Sequence, residues 1–183
     1  MRFHKMNCFT WPIRALFNRL TSGSFKASGS TPSSNSSKQN HSYRPRTTVR
    51  EVSWAQAQDA LQSIRTQVFI EEQGIDPADE WDPADRDAIH LLAERDGTAV
   101  GCARILDRQK IGRMAVLRSV RHKNIGSKLL RAAIQIIQDA GQTPTLGAQI
   151  KAMGFYANHG FLPEGPVFDD AGIPHRTMTL TGD

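Results

Sequence analysis

The sequence predicts a mixed α/β domain: a mostly antiparallel sheet flanked by helices. Two features predict it. "AIHLLAER" and "TAVGCARIL" (residues 88–106) are strand-like runs joined by Asp96-Gly97, a strong short-range hairpin signal. Strand and helix patterns then alternate towards the C-terminus. "KIGRMAVL" is a strand; Leu129, Leu130, Ala133, Ile134 and Ile137 mark one helical face; "TPTLGAQI" is a strand, "KAMGFYANHG" a short helix and "RTMTL" a last strand. Hairpins followed by strand–helix–strand–helix–strand require one mixed sheet.

The remaining elements follow in order. Residues 1–46 read as a basic, Ser-rich, disordered extension, and residues 47–183 as the folded domain. Positions 22–42 are rich in Ser, Asn and Gly and hold little to bury. Before them, "WPIRALFNRL" fits a short amphipathic helix. Arg-rich, Ser-rich and free of acid, the extension matches an organellar transit peptide, but also a plain unstructured tail or a start codon placed too far upstream. "TTVREVS" opens the domain as a strand. Ser53 and Gln56 form an S-x-x-Q capping box for a helix carrying Leu61, Ile64, Val68 and Phe69. "QGIDPADEWDPADRDA" is acidic, broken by Pro77 and Pro83, and expected to be loop. The helix after "KIGRMAVL" should stop near Gly141.

Charge narrows the function classes. The formal net charge is +5, but residues 1–50 hold nine Lys and Arg and no acid. That leaves 14 of the 23 basic residues against all 18 acidic ones, a net of −4 for residues 51–183. A general nucleic-acid-binding domain is therefore not expected. Cys8 and Cys102 fit no metal spacing and make a poor disulfide framework, so a reducing compartment is the default. The expectation is a cytoplasmic protein, organellar if the extension is a transit peptide, with no membrane span and no metal.

"VRHKNIGSKLL" (residues 120–130) carries the chemistry. A strand, a basic loop, Gly126 and then a helix is the arrangement that places phosphates on free N–H groups at a helix N-terminus. Arg121 and Lys123 supply charge, with His122 between them. Asn124 can adopt the left-handed backbone that otherwise favours Gly. Ile125, Gly126 and Ser127 form the first turn.

The order of these motifs resembles the GNAT (GCN5-related N-acetyltransferase) superfamily. Met114-Ala115-Val116-Leu117 is the strand, and Arg121, Asn124 and Gly126 fill the Q/R-x-x-G-x-G/A motif, with Asn124 where the family prefers Gly. Gln149 stands at the amide position of the next strand; Phe155-Tyr156 and Gly160-Phe161 match the F-Y helix and its G-F close. R-x-x-V-F-x-x-E-Q (Arg65, Val68, Phe69, Glu72, Gln73) and D-A-G-I-P-H (Asp170 to His175) are similar to a narrower bacterial subgroup of predicted GNAT acyltransferases. The resemblance covers about residues 47–181. It implies a single-domain GNAT fold, acetyl-CoA as the acyl donor and transfer of the acetyl group to a small-molecule or peptide amine. The implied donor contacts are Met114, Ala115, Val116, the 121–127 loop, Gln149, Phe155 and Tyr156, and the protein is a monomer or homodimer.

Three catalytic tasks follow from that implication. A backbone N–H must meet the carbonyl oxygen as it gains charge, and the resemblance gives this to Val116. Tyr156 takes the position of a general acid for the leaving thiolate, or is core packing beside Phe155. A base must accept the amine's proton, and Glu72, His90 and His175 are the candidates. Arg65 suits an acceptor carboxylate or an ordinary ion pair, with Phe69 and His90 as further acceptor contacts. Two alternatives remain: a module that binds coenzyme A without turnover, and acyl transfer like that of acyl-homoserine-lactone synthases.

Overall fold

The computed structural model describes residues 45–182. The expected extension, with Cys8 and the "WPIRALFNRL" segment, lies outside the described residues but for its last two positions. Strand β1 (Thr47–Val52) leads through the Ser53 cap into helix α1 (Trp54–Arg65), whose chain continues as a π-helical turn over Thr66–Glu71. The expected capping box forms: Gln56 N–H donates to Ser53 Oγ, and Ser53 N–H donates to Gln56 Oε1 at 3.0 Å. The expected acidic loop is partly ordered into a short helix α2 (Pro77–Glu80) and a 3₁₀ turn (Pro83–Arg86). Asp76 and Asp82 cap these two segments, with Pro in the first turn of each.

Strands β2 (Ile89–Arg95), β3 (Thr98–Leu106) and β4 (Lys110–Val116) form the predicted meander. Asp96 and Gly97 both have positive φ, 52° and 79°, as a two-residue hairpin turn of type I′ requires. Helix α3 (Ile125–Asp139) follows and ends as expected: Gly141 has φ 72° and donates to the carbonyl of Gln138. Then come β5 (Thr145–Gln149), the short helix α4 (Met153–Ala157), β6 (Phe161–Asp170) and β7 (Ile173–Leu180). The sheet order is β1-β2-β3-β4-β5-β7-β6. Every pair is antiparallel except β4–β5, so the mixed, mostly antiparallel sheet stands.

Strand alternation sends neighbouring residues to opposite faces. Leu91, Ala93, Ala103 and Ile105 meet Leu129, Leu130, Ala133 and Ile137 of α3 on one face. Leu92, Cys102 and Ala115 meet Leu61, Ile64, Val68 and Phe69 on the other. The sheet is thus covered by α3 on one side and α1 on the other. Gly101 must be Gly: a Cβ there would sit 2.9 Å from the Ala115 carbonyl oxygen, beneath Leu129.

Strand β6 had no counterpart in the sequence reading. Pro163, Gly165 and Pro166 disguise it, and they are tolerated because β6 is an edge strand with a register shift between Glu164 and Val167. The D-A-G-I-P-H motif proves to be a hairpin turn, with Ala171 and Gly172 at φ 52° and 75° between paired Asp170 and Ile173.

Candidate active site

The site begins where the sheet opens. Strands β4 and β5 pair only at Lys110↔Thr145 and Ile111↔Leu146. Beyond those two pairs the strands diverge, leaving Met114 to Val116 on one wall and Gln149 on the other. A second irregularity sits in β4 itself. Cys102 pairs with Ala115 and Arg104 with Gly112, so β4 spends one residue more than β3 between them. This is a β-bulge, and Arg113 there has φ 46°. The cleft so formed holds about 370 Å³ and is lined by Phe69, Gln149, Tyr156, Phe168 and His175 among others.

The loop from Arg121 to Asn124 closes one end. His122 and Asn124 both adopt left-handed backbone, φ 61° and 62°; Asn124 behaves as the sequence suggested, whereas His122 gave no such signal. Asn124 is the N-cap of α3 yet makes no side-chain capping bond, and the first turn contains no acid. The first i→i−4 bond in this turn is Lys128 N–H to the Asn124 carbonyl. The N–H groups of Ile125, Gly126 and Ser127 therefore face outward at the positive end of a 15-residue helix. They border a second cavity of about 450 Å³ shared with Val116, Arg121 and Phe155. A Cβ on Gly126 would lie 3.5 Å from the Phe155 ring, so larger side chains must project into that space. Free amides, an acid-free turn and room for a phosphate fit the pyrophosphate of coenzyme A.

The opposite wall is built by β5, α4 and the β6–β7 hairpin. Gln149 Nε2 donates to Gln73 Oε1 at 2.8 Å, tying β5 to the end of the π-helical turn. Tyr156 is half-buried, edge-on to Phe155 at 5.1 Å and to Phe161 at 6.2 Å. Burial pushes its phenol up to about 12. His175 is buried beside Gln149 in the β5–β7 register and stacks on Phe168 at 5.8 Å. Its Nδ1 lies 2.7 Å from the Ile173 carbonyl, which can only accept, so Nδ1 carries a proton and Nε2 is the ring nitrogen left for other partners. Phe168 was missed with strand β6. It also explains Gly147, where a Cβ would come within 3.3 Å of its ring.

Four of the expected roles meet an arrangement that does not favour them. Arg65 is 1% exposed and cannot reach an acceptor. Its Nε donates to Glu80, its Nη1 to both Asp85 oxygens at 2.9 and 3.0 Å, and its Nη2 to the Glu80 carbonyl at 2.8 Å; its guanidinium lies over Trp81 at 5.0 Å. His90 is likewise 1% exposed, with Nε2–H donated to the Asp85 carbonyl at 2.7 Å and its ring against Trp54. Burial lowers its pKa, so it is a neutral structural histidine rather than a base. Glu72 is accessible, but both its oxygens accept from Arg121 at 2.6 Å. The Arg121 guanidinium holds the Glu72 carboxylate below its usual range, which makes it a poorer base. Arg121, expected on phosphate, spends Nε on the Val116 carbonyl and the rest on Glu72.

Similarity to known proteins agrees with this geometry. The acetyltransferase (GNAT) domain family matches residues 62–182. A Bacillus subtilis (strain 168) protein with a provisional acetyltransferase name is 32% identical over 142 residues, 74% of this chain and 97% of its own. ElaA of Escherichia coli (strain K12) is 30% identical over 65% of this chain and 84% of its own. The crystal structure of E. coli ElaA superposes with a TM-score of 0.66 over 74% of this chain and all of its own, at 27% identity. An acyl-CoA N-acyltransferase from Pseudomonas aeruginosa superposes at 0.65 with 28% identity, over 75% of this chain and all of its own. The chain belongs to the GNAT acetyltransferase family. Among the described residues no helix is long and apolar enough to cross a membrane, and no group of His, Cys, Asp or Glu could hold a metal.

Proposed function

We propose that the protein is an N-acetyltransferase that moves the acetyl group of acetyl-CoA to a primary amine by direct attack. The observation that carries this reading is the cleft between β4 and β5, opening onto the uncapped first turn of α3. Acetyl-CoA would supply the acyl thioester. The amides of residues 125–127 hold its pyrophosphate, with Lys123 adding charge. Leu117 N–H is bonded to the Val100 carbonyl on the β3 side, so strand alternation turns Val116 N–H into the gap. There it can meet the thioester oxygen as charge develops on it. Tyr156 donates a hydrogen bond to the departing sulfur. Among the candidate bases His175 is favoured over Glu72, because it lines the cleft with only Nδ1 committed, to the Ile173 carbonyl, whereas Glu72 is held by Arg121.

Calorimetric titration of acetyl-CoA into the full-length protein, beside a Gly126→Glu variant, tests the reading. Glutamate at 126 has room for its Cβ, so the fold survives, but its carboxylate enters the phosphate space. Micromolar binding that the variant loses, with thiol release in the presence of an amine, is the expected result. Binding without thiol release from any amine would favour a coenzyme A-binding module. No binding by wild type sinks the proposal.

A further inference from the structure

Val116 and Arg121 line both the cleft and the cavity at the start of α3, so they stand where the two meet. Arg121 offers its guanidinium to neither space. Its Nη1 and Nη2 donate to the two Glu72 oxygens, and its Nε donates to the Val116 carbonyl at 3.0 Å. The bond to Val116 has a cause in the sheet. The N–H and C=O of one strand residue point to the same side. Leu117 N–H bonds on the β3 side, so both polar groups of Val116 turn towards β5. By then β5 has diverged, its pairing with β4 ending at Ile111↔Leu146. Arg121 Nε–H takes the place that a donor of β5 would have held. A 3₁₀ turn over Arg118–Val120 folds the chain back, which returns the Arg121 side chain to the strand it has just left. Glu72 grips the other edge of the guanidinium, so Arg121 is fixed on two sides.

Building on the acetyltransferase reading, we infer that Arg121 is a positioning residue: by holding the Val116 carbonyl, its Nε–H sets the direction of the Val116 N–H that meets the thioester oxygen. A donor stabilises a developing oxyanion best when it is aimed in advance. Without Arg121 the Val116 carbonyl must find another donor. The backbone at 116 then turns, and the N–H of the same residue loses its aim. This role needs a planar N–H at the reach of Nε and does not need the charge.

Two substitutions in the full-length protein separate this role from a charge kept for phosphate. Arg121→Gln retains a planar N–H as many bonds from the backbone as the arginine Nε and loses the charge. Arg121→Lys retains the charge and loses the planar donor. Arg121 is about one-third exposed, so the fold tolerates both, and thermal melts check it. The first readout is the isotope-edited infrared spectrum of bound acetyl-CoA labelled with ¹³C at its carbonyl, which needs no acceptor. The carbonyl band in Arg121→Gln should coincide with that of wild type. In Arg121→Lys it should move to higher frequency, as the hydrogen bond to the oxygen weakens. The second readout is kcat with whichever amine releases thiol. It should fall at least about tenfold in Arg121→Lys, part of the roughly hundred- to thousandfold lost with a whole oxyanion donor, and stay within about threefold in Arg121→Gln. A wild-type band in both variants, or an equal shift in both, overturns the inference and leaves acetyl transfer standing. Acetyl-CoA affinity lost in Arg121→Gln and kept in Arg121→Lys, with kcat unchanged in both, makes Arg121 a phosphate ligand instead. If wild type binds no acetyl-CoA, the acetyltransferase reading falls and takes this inference with it.

Discussion

Tyr156 holds its proton throughout the neutral range, because burial pushes its phenol up to about 12. A thiol ionises near 8.5, so complete proton transfer from this phenol to a thiolate is uphill by roughly 5 kcal/mol. A hydrogen bond to the departing sulfur is the contribution that survives this comparison. Tyr156→Phe keeps the ring between Phe155 and Phe161 and removes only the hydroxyl. It should lower kcat about a hundredfold, the low end for a positioned proton donor, with little change in the affinity for acetyl-CoA. A loss under threefold in stopped-flow or steady-state turnover would reduce Tyr156 to packing. Glu72 and Arg121 pose a second question at this scale. Each is about one-third exposed, and partly exposed ion pairs contribute only ~0.2–1 kcal/mol. Glu72→Gln frees Arg121 for phosphate and should tighten acetyl-CoA binding roughly two- to fivefold by the same energy scale. If kcat instead falls by about a hundredfold, Glu72 is the base after all.

At the scale of elements, five segments meet in one buried charge cluster. Arg65 of α1, Glu80 of α2, Asp85 of the 3₁₀ turn, Arg104 of β3 and Arg113 of β4 are linked, with Asp82 at the edge. Three guanidinium groups face three carboxylates, so the cluster is neutral. Burial works against the Asp85 carboxylate, yet the hydrogen bonds from Arg65 and Arg104 outweigh it and hold its pKa below the usual value. Arg65→Ala takes from Glu80 and Asp85 one of the two arginines each has and should destabilise the protein by about 3 kcal/mol, the low end for breaking a buried ion pair, measured by urea denaturation. A substrate-binding Arg65 would raise KM and leave stability alone, so the same variant separates the two roles. This cluster was illegible in the sequence, and the reason is physical. Carboxylates in a Pro-broken stretch have the composition of a solvated loop, and their partners lie 15 or more positions away. Features fixed by near neighbours were legible: the Ser53–Gln56 box, the Asp96-Gly97 turn, the left-handed Asn124 and the stop at Gly141. Strand β6 was hidden because an edge strand tolerates the Pro and Gly that usually rule a strand out. The loop geometry at the start of α3 could be read because its parts are contiguous. The far wall of the cleft could not, since Phe168, His175 and Gln149 are brought side by side only through sheet pairing.

For the molecule as a whole, the response of stability to pH follows from which groups the fold keeps charged. His90 is held neutral chiefly by burial, with Arg65 and Arg104 opposing its protonation and Asp85 favouring it. Its folded pKa lies below the ordinary 6.5, so between those two values the unfolded chain binds a proton that the folded protein does not. Stability therefore rises with pH across that window and is lost as pH falls from about 6.5. Asp82 and Asp85, with depressed pKa values, add stability that is present above the ordinary aspartate range near 3.8 and disappears below it. Glu80 runs the other way: burial raises its pKa, so acid relieves a penalty there. The Asp82 and Asp85 effects lie below the histidine window and the Glu80 effect has the opposite sign, which leaves His90 as the source of the stability lost in the first acid step. His90→Gln preserves an amide N–H for the Asp85 carbonyl and cannot titrate. Thermal melts of the wild-type protein should show Tm falling between pH 7 and 5.5, and the variant should be flatter over that span. Equal slopes in the two proteins would mean that His90 accepts a proton inside the fold, and that the charge cluster around Arg65 tolerates a fourth cation.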